Sequence, residues 1–179
     1  MVERRKLITA ALLGVVIAVV KGPFQPPYAD LLIIVEAPIL GLSFLLLGRG
    51  GATYTEVVNG LLQSILKASF FPFSLILAVM YGALVDLLGT ALRAKQGDHA
   101  DSTRMVAALG IASVITGLIA AYTSIALGIV AYNPSLFYAV YVPIIIWGIL
   151  SGALGGHISA KLWERNLRAR FRSLQPPVG

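Results

Sequence analysis

The sequence predicts an all-α integral membrane protein in which six transmembrane helices form one compact bundle. Hydrophobic residues make up 58% of the 179-residue chain and charged residues only 12%, whereas a soluble domain carries about 25% charged residues. Apolar runs long enough to cross lipid also recur along the whole chain. Six spans of about 20 residues leave only short loops, so we expect a single membrane domain over residues 1–179.

The predicted helices are separated by glycine, proline and polar residues, which release a helix and place its end in water. These breakers are GPFQPP at 22–27, GRGG at 48–51, RAKQGDHADS at 93–102 and NPS at 133–135. A basic tail over 164–179 is expected to reach the cytoplasm, where its arginines either meet anionic lipid headgroups or serve only as a topology anchor. The apolar runs predict helices over about residues 7–21, 29–47, 53–69, 71–92, 104–132 and 136–163.

The third segment, residues 53–69, decides the topology because it mixes charged and amide side chains with apolar ones. If it crosses the membrane, both chain ends lie on one side together with twelve of the fourteen Lys and Arg residues, and Lys21 and Lys67 lie opposite. If it does not cross, the basic C-terminus moves away from the basic N-terminus. Basic residues concentrate in cytoplasmic loops. The sequence therefore favours six spans in the plasma membrane with both termini in the cytoplasm.

Small residues recur at a spacing of four in the first and the last helix. Such rows let two helix backbones approach closely in lipid. In the first helix the row is Ala10, Gly14 and Ala18, and its smooth surface predicts a docking site for another membrane subunit. In the last helix we expect the row to pack within the monomer; it comprises Gly148, Gly152, Gly156 and Ala160.

Several ionisable residues fall at membrane depth, where each costs several kcal/mol unless it faces a partner or a polar site. Asn59, Gln63 and Lys67 follow one another at intervals of four and form a polar stripe on the third helix. Two interpretations remain open. Either Glu36 pairs with Lys67 while Asp86 bonds an inner helix end, or Glu36, Gln63 and Lys67 line an outward-facing solute pocket.

Four aromatic residues lie deeper than the others in the predicted helices, namely Tyr81, Tyr122, Tyr141 and Trp147. Flat rings beside a few polar groups suit a small planar ligand, which they hold by stacking and directed hydrogen bonds. The alternative for each ring is ordinary helix packing.

Motifs for enzymatic chemistry are absent from the sequence. The chain has no P-loop of the form GxxxxGKS/T, no HExxH motif and no GxSxG motif. It has no cysteine and only two histidines, too few for a cysteine or histidine metal site. We expect no enzymatic activity and no cofactor. The net charge of +6 indicates membrane orientation rather than nucleic-acid binding.

The chain resembles the substrate-binding S components of energy-coupling factor (ECF) vitamin transporters over nearly its whole length. The stripe of Ala10, Gly14 and Ala18 is similar to the alanine motif with which S components dock on the transmembrane T component, although it has glycine at its centre. Segments 50–62 and 72–89 look like the glycine-punctuated third and fourth helices of that family.

This resemblance implies a high-affinity binding subunit for uptake of a vitamin or related small molecule, energised by a T component and two ATPases. Glu36 would suit a cationic thiamin-like or pyrimidine ligand, whereas Lys67 would suit a carboxylate such as that of biotin. The candidate substrate-binding residues, chosen by position, are Glu36, Lys67, Tyr81, Tyr122, Asn133, Tyr141 and Trp147.

Two other functions fit the same sequence. The chain could be an independent small channel or secondary transporter, in which Glu36 and Asp86 form a proton or ion path. It could also be an assembly protein that binds other helices through its glycine rows and carries no solute.

Overall fold

The computed structural model describes residues 2–24, 31–67, 71–128 and 136–168. This part of the chain forms six α-helices, which confirms the predicted helical class. The helices are α1 (Val2–Lys21), α2 (Ile33–Leu47), α3 (Gly51–Leu66), α4 (Phe73–Ala91), α5 (Ser102–Ala126) and α6 (Leu136–Leu162). Two short antiparallel strands, β1 (Lys95–Gln96) and β2 (His99–Ala100), connect α4 to α5, and a π-helical turn (Trp163–Leu167) continues α6.

The helix ends lie close to the predicted ones, with one clear difference in α5. This helix ends at Ala126 rather than near residue 132, because Leu127 and Gly128 form a turn. Gly128 has a φ of 71°, a conformation that glycine adopts without steric cost. The strands β1 and β2 were not predicted, since two-residue strands carry no periodic pattern.

Helix α2 lies at the centre of the bundle and contacts each of the other five described helices. Its sequence is almost entirely apolar, so it can bury every face. Leu40 and Leu45 are fully buried, and Phe44 is nearly so. The hydrophobic core therefore forms around this helix, with Tyr81 and Val85 of α4 packed into it.

The bundle exposes apolar side chains and buries polar ones. Ile8, Ile65 and Leu87 are each at least 60% exposed, whereas Glu56 and Asn59 are at most 1% exposed. This is the reverse of a soluble protein, in which charged and amide residues lie outside. It is the arrangement expected when lipid is the solvent.

Three helical stretches of the described residues are long and apolar enough to cross a membrane: Phe73–Ala91, Ser102–Ala126 and Tyr141–Leu167. Leu7–Lys21 and Ile33–Leu47 are apolar but shorter. Length and composition therefore support a membrane protein, with α4, α5 and α6 as its candidate spans.

The small residues of α6 pack within the chain, as predicted. A side chain on Gly152 or Gly156 would collide with the backbone of α5, and the backbone of Val106 meets Gly156 directly. On the adjacent row, a side chain on Gly155 would lie 2.7 Å from the Cβ atom of Ala37 in α2. The glycines thus let α6 approach α5 on one side and α2 on the other.

The prediction that Ala10, Gly14 and Ala18 of α1 form a docking surface for another subunit is wrong. All three residues are buried against α3 within the same chain. A Cβ atom on Gly14 would lie 2.5 Å from the carbonyl oxygen of Thr55 and 2.9 Å from Cβ of Val58. A small-residue row identifies a surface of close approach but does not identify the helix that covers it.

The small side chains of α1 also leave its backbone carbonyls open to the polar side chains of α3. Thr55 donates from Oγ1 to the carbonyl of Ala10 at 3.2 Å, and Gln63 donates from Nε2 to the carbonyl of Ala18 at 3.4 Å. The opposite face of α1 carries the exposed large side chains, which are Leu7, Ile8, Leu12, Val15, Val16 and Val19.

Asp86 on α4 caps the beginning of α3. Its carboxylate accepts hydrogen bonds from the backbone nitrogen of Ala52 at 3.1 Å and from the backbone nitrogen and hydroxyl of Thr53 at 2.8 and 2.6 Å. Gly82 permits this approach, since a Cβ atom there would lie 2.7 Å from the carbonyl oxygen of Ala52. The interpretation of Asp86 as a helix-end residue is confirmed, and its carboxylate supplies negative charge to the first turn of α3.

The β1–β2 hairpin binds the end of α6 and its π-helical turn. Lys95 places its ammonium 4.7 Å from the centre of the Trp163 ring, within the range of a cation–π interaction. Trp163 donates from Nε1 to the carbonyl of Asp98 at 2.8 Å. The backbone nitrogen of Ala100 donates to the carboxylate of Glu164, also at 2.8 Å. These contacts fix the loop between α4 and α5 to the last helix.

Candidate functional site

Polar side chains from α1, α2 and α3 meet inside the bundle, and we call this group the interior polar cluster. All but Lys21 are buried, and the Lys21 side chain retains 18% exposure. The cluster consists of Lys21, Glu36, Glu56, Asn59, Gln63 and Lys67.

An ion pair between α1 and α2 forms one side of the cluster. Lys21 at the end of α1 donates from Nζ to Oε2 of Glu36 at 2.8 Å. Of the two open interpretations, the direct ion pair of Glu36 with Lys67 is wrong, because the cation in contact with Glu36 is Lys21. Lys67 instead donates from Nζ to the backbone carbonyl of Lys21 at 3.0 Å. Glu36 and Lys67 thus both contact Lys21 at the end of α1, Glu36 at the side chain of Lys21 and Lys67 at its backbone carbonyl.

Asn59 links two carboxyl groups. Its Nδ2 donates to Oε2 of Glu56 at 2.7 Å and lies 3.4 Å from Oε1 of Glu36. The charge of Glu36 also acts on the carboxyl group of Glu56. The remaining oxygens of this unit, Oε1 of Glu56 and Oδ1 of Asn59, are buried without a hydrogen-bond partner. Buried polar atoms are rarely left in this state, so these two oxygens mark a special position in the cluster.

Tyr81 extends the polar interior towards α5. Its side chain is 2% exposed, and its hydroxyl lies 2.8 Å from the hydroxyl of Ser113. It is close enough to Glu36 and Glu56 to experience their charge. One turn further along α5, the buried hydroxyl of Thr116 has no hydrogen-bond partner. Of the four predicted aromatic ligand contacts, Tyr81 is the one that the structure places beside the cluster.

Two other predicted ligand residues, Tyr122 and Trp147, have different surroundings. Tyr122 is 68% exposed on the surface of α5 and is therefore not part of the buried cluster. Trp147 donates from Nε1 to the carbonyl of Leu31 at 3.1 Å and thereby ties α6 to the chain just before α2. Tyr141 is half-buried on α6. Asn133 lies outside the described residues.

Sequence reasoning missed Lys21 and Glu56 as members of the site. Lys21 was interpreted only as a topology residue at a helix end, and its partner lies fifteen positions away on another helix. Glu56 precedes Asn59 by three positions, so the two share a helix face. Extending the polar stripe by one turn towards the beginning of α3 would have included Glu56.

The cluster offers charged groups and hydrogen-bond acceptors in an interior screened from solvent. Within the ranges that the structure describes, no group of three or more His, Asp or Glu side chains is placed to hold a metal ion. The arrangement can bind a positively charged or hydrogen-bond-donating group at Glu36, or exchange protons through its carboxyl groups. Comparison of the chain with protein-family models, with curated proteins and with solved structures finds no match.

Proposed function

We propose that this protein is the membrane-embedded binding subunit of an uptake system for a vitamin or related small molecule, resembling the S component of an ECF transporter. In this proposal all six helices cross the plasma membrane and both termini lie in the cytoplasm. The distribution of Lys and Arg residues supports this topology. The apolar exterior and the burial of the polar face of α3 support a helix that crosses despite its polar residues.

The observation that carries the proposal is the interior polar cluster. A charged side chain at the centre of a membrane helix costs about 2.5–3.5 kcal/mol on insertion scales, and such residues mark solute or ion pathways by default. Here Lys21, Glu36, Glu56 and Lys67 meet in one interior region, with Tyr81 beside them. Structural needs alone do not require four charged groups in a bundle of this size, which favours a solute-binding role.

The chemistry of the cluster bears on the class of ligand. Glu36 lies at its α2 side and is held by Lys21, whose side chain is the most exposed of the group. A cationic group that displaced Lys21 would find the same carboxylate, as a thiamin-like or pyrimidine ligand could provide. A ligand with a carboxylate would bind Lys67 instead.

Energy for uptake would come from partner subunits, a transmembrane T component and two ATPases, because the chain has no P-loop. The small-residue stripe of α1 is covered by α3 and is not available to such a partner. The exposed apolar face of α1, including Ile8, Leu12 and Val19, is available to a membrane subunit or to lipid.

A thermal-shift screen of the purified protein in lipid nanodiscs against B vitamins and their precursors tests the proposal. We expect one compound to raise the unfolding temperature. Glu36→Gln should then weaken its binding by about tenfold or more, since a charge-assisted hydrogen bond contributes about 1.5–3 kcal/mol. Tyr122→Phe, at an exposed site, should leave the affinity unchanged. A screen without any binder, supported by native mass spectrometry, would contradict the proposal.

An independent secondary transporter is the second candidate, favoured by the two adjacent carboxyl groups of Glu36 and Glu56. The ion path suggested by the sequence included Asp86, but that carboxylate is engaged at the start of α3. Liposomes that contain this chain alone discriminate the two functions. A secondary transporter moves solute across them, whereas a binding subunit retains its ligand until its partners are added, and an assembly protein does neither.

A further inference from the structure

Glu56 is the most deeply buried member of the interior polar cluster. This side chain has 0% exposure. In the part of the chain that the structure describes, Lys21 forms an ion pair with Glu36, and no ion pair reaches Glu56. An ionised Glu56 would therefore face a second carboxylate without a cation of its own in contact. An isolated buried carboxylate is so unfavourable that such a group neutralises instead.

The two unpartnered oxygens indicate what neutralises it. Oε1 of Glu56 and Oδ1 of Asn59 are both acceptors, and each has less than 1 Å² of accessible surface. Two acceptors that face a closed interior need a donor between them. A proton bound to Glu56 supplies this donor, because it turns one oxygen of the carboxyl group from an acceptor into a donor.

We propose that Glu36 and Glu56 form a proton-binding site in which Glu56 is the protonated member. Glu36 keeps its ion pair with Lys21, while the Glu56 hydroxyl donates a hydrogen bond within the unit that Asn59 links. The charged and titratable groups around this site are Lys21 from α1, Glu36 from α2, Tyr81 from α4 and the second cation of the cluster, Lys67, which contacts the backbone carbonyl of Lys21. Within the Lys21, Glu36 and Glu56 unit, one bound proton leaves no net charge.

Proton loss requires the bundle to open at this point. Glu56 has 0% exposure, so its proton reaches water only after the surrounding helices move apart. Neither the site nor its test depends on the proposed solute, because both concern the ligand-free protein.

Infrared difference spectroscopy of the full chain in lipid nanodiscs at neutral pH tests the inference. Subtracting the spectrum of Glu56→Gln from that of the unmodified protein should reveal one lost protonated-carboxyl band, which shifts in deuterated water. Glu164→Gln is the matched control, because Glu164 pairs with Arg168 at 3.0 Å outside the cluster and should lose only carboxylate bands. A difference spectrum of Glu56→Gln that shows lost carboxylate bands would overturn the proposal.

A second measurement needs no variant and covers the case in which Glu56→Gln does not fold. The unmodified protein is unfolded by denaturing detergent in weak buffer at about pH 8, where histidines and exposed carboxyl groups do not titrate. Because the unfolded chain exposes Glu56 to water, an indicator dye should report release of about one proton per molecule. Unfolding without proton release would refute the site independently of any substitution.

Discussion

Replacing Gly14 by alanine tests whether α1 packs on α3 as described. The added Cβ atom would lie 2.5 Å from the carbonyl oxygen of Thr55 and 2.9 Å from Cβ of Val58. Both distances are shorter than real Cβ contacts, and the distance to Cβ of Val58 is also well below the roughly 3.5–4.0 Å of an optimal contact between carbon atoms. One neighbour is backbone, so the collision cannot be relieved by a rotamer change and α1 has to move away from α3.

Three effects set the size of the loss. Overpacking of a close interface costs about 1–3 kcal/mol. The displacement also weakens the hydrogen bonds to the carbonyls of Ala10 and Ala18, each of which contributes about 1 kcal/mol. The change from glycine to alanine within a helix returns about 0.8–1.0 kcal/mol. We expect Gly14→Ala to lower the free energy of unfolding by about 2 kcal/mol.

Detergent-titrated unfolding in mixed micelles measures this change, with Gly110→Ala as the matched control. A Cβ atom on Gly110 would meet nothing within 4 Å, so this variant keeps the helix-propensity gain and should be as stable as the unmodified protein or more so. If Gly14→Ala were equally stable, the packing of α1 on α3 would be refuted, and the stripe of Ala10, Gly14 and Ala18 would again be a candidate docking surface.

Three further variants test the interior contacts by the same unfolding assay. Asp86→Ala removes three hydrogen bonds at a buried helix start and should lower the free energy of unfolding by about 2–3 kcal/mol. Asp101→Ala removes an exposed cap of α5 and should lower it by about 1 kcal/mol. Equal losses for the two variants would contradict the difference in burial. Lys21→Met should cost about 3 kcal/mol by leaving Glu36 without its cation, and adding Glu36→Gln should recover most of it. Tyr81→Phe should cost about 1 kcal/mol through the lost hydroxyl contact, and a neutral effect would contradict that hydrogen bond.

The helices and the burial of polar groups could be predicted because both follow from large solvation energies. Apolar runs indicate helices that lipid or a protein core covers. Breakers such as GRGG at 48–51 place the predicted helix ends within a few residues of the observed ones. The spacing of Asn59 and Gln63 places them on one helix face, and both are buried. A face that carries such groups has one low-energy orientation, which is towards the protein.

The partners of these groups could not be predicted, because they depend on which helices become neighbours. Glu36 had two available cations, and the choice of Lys21 over Lys67 follows from the arrangement of α1 against α2. The same limit explains the stripe of α1 and the exposed position of Tyr122. Small-residue rows and aromatic residues signal a contact of some kind, but a partner helix, a ligand and lipid produce similar patterns in sequence.

The hydrogen bonds between α3 and the carbonyls of α1 also bear on how the chain enters the bilayer during synthesis. On its own, α3 would bring amide and carboxyl groups into hydrocarbon, where an unsatisfied polar group costs several kcal/mol. The carbonyls of Ala10 and Ala18, which accept from Thr55 and Gln63, are within reach only once α1 lies beside α3. On the proposed topology, the first helix therefore has to stay near the insertion machinery until the third helix emerges from the ribosome. In a fragment without α1, we expect α3 to remain at the membrane–water interface.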